Sequence, residues 1–278
     1  MPESSPPAAP ASSESDEVLH DHAGGVARIT INRVERRNAM SWGVMTGLRD
    51  ALGSAKADPE VRVVVLTGAG DEAFCAGADL GAMGGAAHGG PDEGFLVRHE
   101  SRGVLAGVFE DLWHLGKPTI ARVQGWAMAG GLGLALACDL VVASDRARFG
   151  APEINVGLWP YMITVPLVRS MPPKKALELM LTGRVVTAEE AERIGFVTRV
   201  VPHDALDGAV DELAATLASK SPAVMKLGRE AFYGVWDMAA PEALSHLHAM
   251  LTLTNQTDDA AEGIAAFLEK RPPEWTGR

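Results

Sequence analysis

Short β-branched segments alternate with helix-type segments up to about residue 172, and this alternation constrains the fold more than any other feature of the sequence. Residues 26–32 and 61–67 are predicted strands, and the second is apolar on both faces, which is typical of a strand inside a sheet. Ser41 is placed to cap a helix that extends to about Lys56. Because strands that alternate with helices are joined by crossover connections, the sequence predicts an α/β protein.

The same pattern continues and then changes. Strands are predicted at 117–123 and 139–144, with helices at about 99–115 and 132–138. Beyond residue 172 helical spacing recurs at 174–181, 188–194, 204–218, 223–236 and 241–268, so we expect this part of the chain to be mainly helical. We therefore expect three parts: a tail (1–16), a core that carries the active site (17–203) and a helical C-terminal region (204–278).

Charge and composition narrow the range of partners. The chain has 278 residues, a net charge of −11 and a pI near 5.2, which argues against binding to nucleic acid or to anionic membranes. Residues 1–16 are rich in Pro, Ser, Ala and acid, so we expect a disordered tail rather than a signal peptide. Two isolated cysteines, Cys75 and Cys138, are expected to stay reduced, as in a cytoplasmic protein.

Two glycine-containing segments could present backbone N–H groups to a ligand. Residues 76–78 are all small, so a ligand could approach the backbone there, although a tight turn would also explain them. Residues 125–131 precede an apolar helix, whose unpaired first-turn N–H groups would suit a developing negative charge. Close packing of that helix against a strand is the alternative explanation.

A lone acid follows in the segment 149–154. Glu153 lies in apolar surroundings directly after Pro152, where burial would raise its pKa into the range useful for proton transfer. A surface glutamate on a turn is an equally good interpretation of the sequence alone. The eight histidines are scattered without a ligand spacing, so we expect no metal site.

In their order and spacing these segments resemble the enoyl-CoA hydratase/isomerase family, also called the crotonase superfamily, from about residue 18 to the C-terminus. The resemblance includes the motifs at 31–40, 73–80, 124–131, 138–140 and 149–153. It implies a crotonase-like spiral of ββα units followed by a helical C-terminal region, residues 204–278, through which three subunits, or two sets of three, assemble. It also implies an acyl-CoA thioester as substrate, with coenzyme A as part of that substrate and no separate cofactor, and a role in fatty-acid or related acyl-CoA metabolism.

The resemblance also implies roles for single residues. The backbone N–H groups of Ala78 and Gly130 would form an oxyanion hole for a thioester enolate, and Glu153 would act as the acid and base. By the same resemblance, eleven residues spread from position 36 to position 270 would contact the substrate and its CoA group. They are Arg36, Asn38, Ala39, Ala76, Ala78, Asp79, Leu80, Gly130, Trp159, Phe267 and Lys270.

Two departures from the hydratase pattern leave the reaction open. Hydratases carry a second glutamate where this chain has Gly133. Isomerisation of a 3-enoyl thioester needs only one carboxylate, so hydratase and isomerase are weighed equally, with Asp79 or Glu93 as possible substitutes for the missing acid. Other family reactions (decarboxylation or thioester hydrolysis) and a non-catalytic acyl-CoA-binding protein are alternatives.

The second departure is the bulky stretch 157–163. Trp159, Tyr161 and Met162 would either reshape the acyl pocket or pack at a subunit contact, and the subunit contact is the favoured interpretation.

Overall fold

The computed structural model describes residues 17–79, 94, 96, 99–100 and 103–278, and the expected tail at 1–16 lies outside them. The strands are β1 (Val18–Ala23), β2 (Val26–Ile31), β3 (Val63–Gly68), β4 (Ala73–Cys75), β5 (Thr119–Val123), β6 (Trp126–Met128), β7 (Leu140–Ser144), β8 (Arg148–Gly150), β9 (Val185–Thr187) and β10 (Arg199–Val201). The helices are α1 (Trp42–Ala57), α2 (Val104–Trp113), α3 (Gly130–Ala137), α4 (Thr164–Ser170), α5 (Pro173–Thr182), α6 (Ala188–Ile194), α7 (Leu206–Ala218), α8 (Pro222–Gly234), α9 (Ala240–Thr254) and α10 (Asp258–Glu269). Short 3-10 helices cover Val34–Arg36, Pro152–Val156 and His203–Ala205.

Two sheets form the core of the fold. The larger has six strands in the order β1-β2-β3-β5-β7-β10, and the smaller has four in the order β4-β6-β8-β9. Successive strands β3 and β4, β5 and β6, and β7 and β8 each contribute one member to each sheet. These six strands pair in parallel within their sheets, whereas β1 with β2 and β8 with β9 are antiparallel. The repeated division between two sheets is the expected spiral, and the α/β prediction is confirmed.

The elements that carry the strongest sequence patterns form where they were expected. All six residues of β3 are buried, which agrees with its two apolar faces. Helix α1 begins after Ser41, whose Oγ accepts a hydrogen bond of 3.0 Å from the N–H of Val44, and it buries Met45 and Leu48 against the core.

The C-terminal helices are confirmed, with one division inside the predicted run at 241–268. Helix α9 ends before Thr257, whose Oγ1 accepts from the N–H of Ala260 at 3.1 Å and so caps α10. Helix α7 covers the larger sheet through Leu206 and Val210, whereas α9 buries none of its residues. In the described part of the chain, no helix combines the length and the apolarity that a membrane span needs.

A buried ion pair fastens α8 to the core. Asp139 accepts hydrogen bonds from the N–H and the hydroxyl of Thr119 and, at 2.8 Å, from Nε of Arg229. The side chain of Arg229 is only 6% exposed and also donates to two backbone carbonyls at the end of α2. Tyr233 donates to the other oxygen of Asp139. Cys138, the preceding residue, and Cys75 are both buried and unpaired.

Candidate active site

A cavity of about 580 Å³ lies where the three chemically interesting segments meet. Its walls include Ala76 and Ala78, the first residue of α3, the 3-10 helix Pro152–Val156 and the residues from 158 to 163. Most of this surface is apolar. The structure therefore brings together the two glycine-containing segments and the lone acid, which lie up to 77 residues apart in sequence.

The segment after β4 presents one unpaired N–H group. Gly77 has φ +96°, and its carbonyl accepts a hydrogen bond of 2.8 Å from the N–H of Met40. The N–H of Asp79 donates to the carbonyl of Met40 at 2.9 Å. These two bonds hold Ala78 between them. Among the described residues, no acceptor is paired with the N–H of Ala78, which lines the cavity.

The start of α3 presents the second N–H group. Ala129 has φ 52° and ψ −127°, and its N–H donates to the carbonyl of Gly150 at 2.8 Å, which aims the chain into the helix. Gly130 is the first helical residue, so its N–H has no intrahelical acceptor. A Cβ on Gly131 would overlap the carbonyl of Cys75. Close packing of the segment 125–131 is therefore confirmed, and the role of the Gly130 N–H toward a ligand stays a prediction.

The two segments are in direct contact. A Cβ built on Gly77 would lie 2.8 Å from the Cβ of Ala129, 3.0 Å from the carbonyl oxygen of Met128 and 3.6 Å from the N–H nitrogen of Gly130. Only glycine fits this position, on grounds of both space and φ. The backbones that carry the N–H groups of Ala78 and Gly130 are therefore held side by side.

Glu153 supplies the only carboxylate among the described residues that line the cavity. It lies in the 3-10 helix Pro152–Val156, and its backbone carbonyl accepts from the N–H of Leu158 at 3.0 Å. Its Oε2 atom is buried and has no hydrogen-bond partner within the described residues. Burial raises the pKa of this carboxyl group above its usual range. A carboxyl group of this kind can take up and return a proton.

At position 133, where the resemblance places a second glutamate in hydratases, neighbouring side chains leave no space for one. Gly133 is buried in α3, and a Cβ placed there would overlap Cγ2 of Ile163 and lie 2.9 Å from Cζ of Phe109. No side chain fits there without displacing these two residues. No sequence pattern indicates this contact, because Gly133 and Ile163 are separated by 30 residues without a linking motif.

Of the two acids considered as substitutes, Asp79 is described, and it is not among the residues that line the cavity. The carboxylate of Asp79 is paired with Nη1 of Arg33 at 3.0 Å, and its side chain is mostly buried by that contact. Glu93 lies outside the described residues, as does Leu80.

The bulky stretch after Glu153 forms one wall of the cavity. Trp159 is half-buried and packs against the core, whereas the side chain of Tyr161 is 71% exposed and Met162 is also exposed. All three line the cavity. Their placement on the cavity agrees with reshaping of the acyl pocket, and the exposure of Tyr161 and Met162 agrees equally with the subunit contact favoured from the sequence.

The residues near position 36 that were expected to bind CoA differ in how accessible their side chains are. Arg36 is exposed on the 3-10 helix Val34–Arg36, and the neighbouring Ala39 accepts a hydrogen bond of 2.7 Å from Arg33. Asn38 departs from expectation, because its fully buried side chain donates to the carbonyls of Ala69 and Ala73 and accepts from the N–H of Arg33. Its side chain is occupied by these loop contacts, so a contact of Asn38 with CoA would have to come from its backbone.

Phe267 and Lys270, the two C-terminal residues expected to contact CoA, do not line the cavity that contains Glu153. Phe267 is 82% exposed at the edge of a separate cavity of about 860 Å³ between α7, α8 and α10, which contains none of the three chemical segments. Lys270 ends α10 with φ 56°. Within this single chain neither residue reaches the cavity that contains Glu153.

Comparison with known proteins gives matches over nearly the whole chain. The sequence model of the enoyl-CoA hydratase/isomerase family matches residues 21–278. A carnitinyl-CoA dehydratase of Salmonella arizonae is 39% identical over 265 residues, which cover 91% of this chain and 96% of that protein. Crystal structures of enoyl-CoA hydratases from Mycobacterium smegmatis and Bacillus anthracis each cover 94% of this chain, with a TM-score of 0.87, at 34% and 31% identity. The aligned parts make up 99% and 100% of those two chains.

Proposed function

Because this chain belongs to the enoyl-CoA hydratase/isomerase family and is an acyl-CoA-processing enzyme, we propose that it is an isomerase that converts 3-enoyl-CoA thioesters to 2-enoyl-CoA thioesters. The observation that carries the proposal is the lone carboxylate. Glu153 is the single acid in the described wall of the cavity, and the position of a second acid at Gly133 is closed by Ile163.

The backbone geometry supports the first half of the reaction. The thioester oxygen accepts hydrogen bonds from the N–H groups of Ala78 and Gly130, and the Glu153 carboxylate removes a proton from C2. The resulting enolate charge lies on the oxygen, where two preorganised donors stabilise it, and each such donor is worth about 3–4 kcal/mol in the transition state. The start of α3 adds the favourable end of a helix dipole.

One carboxyl group completes the second half. Glu153, now protonated, returns the proton to C4, where the electron pair of the 3,4 double bond forms the new C4–H bond. The 1,2 electron pair of the enolate becomes the 2,3 double bond, and an electron pair on the enolate oxygen restores the thioester carbonyl. Substrate and product have the same composition, so neither water nor a separate cofactor takes part. The orphaned Oε2 atom suits this role, because a carboxylate without a fixed partner is free to accept the substrate proton.

Hydration of a 2-enoyl thioester is the second candidate. The names of the relatives favour it, since a dehydratase and two hydratases align over nearly the whole chain. Hydration requires Glu153 alone to hold and activate the attacking water, and the surface above Gly133 offers that water no carboxylate.

The wider site and the assembly belong to the same proposal. The loop containing Arg36 and Ala39 and the segment 76–80 line the path of CoA and its pantetheine arm, with Trp159 on the acyl side. Residues 204–278 mediate assembly into trimers or hexamers, in which Phe267 and Lys270 reach the nucleotide of a neighbouring subunit. The apolar side chains that α9 and α10 expose support this, namely Leu244, Leu251, Ile264, Phe267 and Leu268. We place the enzyme in the cytoplasm, where both thiols stay reduced.

Two absorbance assays decide between the candidates. Purified enzyme is mixed with 3-hexenoyl-CoA and, separately, with crotonyl-CoA, without added metal or cofactor, and the absorbance of the conjugated thioester is followed. Isomerisation makes this band grow with 3-hexenoyl-CoA and leaves crotonyl-CoA unchanged. Loss of the band from crotonyl-CoA would instead establish the hydratase. Light scattering on the same sample measures the mass, for which a monomer would contradict the proposed assembly.

A further inference from the structure

The side of the cavity next to the two N–H donors is closed by one aliphatic side chain. Gly133 follows Gly130 by one helical turn, so the two lie on the same face of α3. Ile163, at the start of α4, covers that face, is only 2% exposed and also lines the cavity. Its Cβ and Cγ2 atoms take up the space above Gly133, with Cζ of Phe109 beside them.

This surface gives a water molecule nothing to bind. A buried water needs two to four polar partners. The side-chain atoms of Ile163 and Phe109 above Gly133 are all carbon, and the N–H of Gly133 already donates to the carbonyl of Ala129 at 3.1 Å. This part of the cavity wall therefore offers water no side-chain partner, and in the proposed reaction the N–H donors of Ala78 and Gly130 are engaged by the thioester oxygen.

We infer that Ile163 determines the fate of the proton in this site. Its side chain keeps water away from the acyl carbons, so the proton that Glu153 takes from C2 returns to C4 of the same substrate molecule. The C2–H bond breaks, the C4–H bond forms and no proton is exchanged with solvent. The inference rests on the proposed isomerase function and adds a specificity-determining residue to it.

The test follows the source of the new proton at C4. 3-Hexenoyl-CoA is converted in D₂O, and the deuterium at C4 of the product is measured by mass spectrometry and NMR at low conversion. Ile163→Val is the matched control, because valine keeps the Cβ and Cγ2 atoms that cover Gly133. Ile163→Ala removes the γ carbons. The alanine variant should incorporate roughly two-fold more deuterium per turnover or more, since water exclusion is what prevents proton leakage, while the valine variant stays at the wild-type level.

Several results would overturn the inference. Equal deuterium in the alanine variant and the wild type would do so, as would complete incorporation by the wild type, and both would leave the isomerase function standing. Hydration of crotonyl-CoA by the wild type would remove the inference and the proposed function together.

A second pair of variants covers the case in which Ile163→Ala does not fold. Ile163→Thr has the shape of Ile163→Val but carries a hydroxyl group that can hold a water molecule. More deuterium with threonine than with valine supports the inference, and equal deuterium contradicts it. A thermal unfolding curve for each variant establishes that the comparison is made on folded protein.

Discussion

Gly77→Ala tests whether the contact between the two N–H segments sets the catalytic rate. The new Cβ would lie 2.8 Å from the Cβ of Ala129 and 3.0 Å from the carbonyl oxygen of Met128. Carbon atoms pack at about 3.5–4.0 Å, so the segments must separate by roughly 1 Å. A displacement of that size should remove the stabilisation that one N–H donor gives to the enolate oxygen in the transition state. We therefore expect kcat to fall about 10²- to 10³-fold.

Backbone strain must be separated from this steric effect. Gly77 has φ +96°, so alanine there also costs roughly 1–2 kcal/mol of stability. Gly195 is the matched control, because it has φ +105°, lies outside the cavity, and has no heavy atom within 4 Å of the place that an added Cβ would take. Gly195→Ala should lose similar stability and keep its kcat.

The assay measures kcat with 3-hexenoyl-CoA and the thermal unfolding midpoint for both variants. The reasoning is refuted if Gly77→Ala, folded, turns over at the wild-type rate. It is also refuted if both variants lose activity in proportion to their loss of stability, since the rate would then depend on global stability alone.

Burial raises the pKa of Glu153, and only the ionised carboxylate removes a proton from the substrate. The value of kcat/KM should therefore rise with pH through an apparent pKa above that of an ordinary glutamate. A pH profile that has already levelled off at the pKa of an ordinary glutamate would contradict this prediction. The raised pKa means that the folded state binds the proton of Glu153 more tightly than the unfolded state does. The contribution of Glu153 to the free energy of unfolding is therefore present at low pH and is lost as pH rises through the folded-state pKa. Chemical denaturation measured across pH should show this loss in the wild type and not in Glu153→Gln. Asp139→Ala leaves the guanidinium of Arg229 buried without its partner and should cost about 3–5 kcal/mol of unfolding free energy, whereas Asp211→Ala, at an exposed ion pair, should cost less than about 1 kcal/mol. Equal losses in urea unfolding would refute that contrast.

Much of the fold can be predicted because its long elements carry strong periodic patterns. Helix α1 has a cap at Ser41 and an apolar face, and β3 is apolar throughout, so the sequence predicts both close to their true bounds. The smaller sheet cannot be found in this way, because β4, β6, β8 and β9 have three residues each, which is too short for periodicity. The first strand also escapes prediction, because β1 is an exposed edge strand with the polar sequence His20-Asp21-His22 at its centre.

The candidate site, like the fold, is predicted only in part from the sequence. Local sequence identifies the small residues at 76–78, the start of α3 and Glu153, because each has a chemical signature within a few neighbouring residues. Packing between distant segments has no such signature. The contact of Ile163 with Gly133, and the buried hydrogen bonds of Asn38, depend on how the spiral folds back on itself.

The central claim is that one carboxylate moves the substrate proton, and the rate of the Glu153→Gln variant tests it most directly. Glutamine keeps the size of the side chain and removes the base, so growth of the conjugated absorbance from 3-hexenoyl-CoA should slow by about 10²- to 10⁴-fold in a folded protein. A Glu153→Gln variant that forms the conjugated product at the wild-type rate would contradict the account.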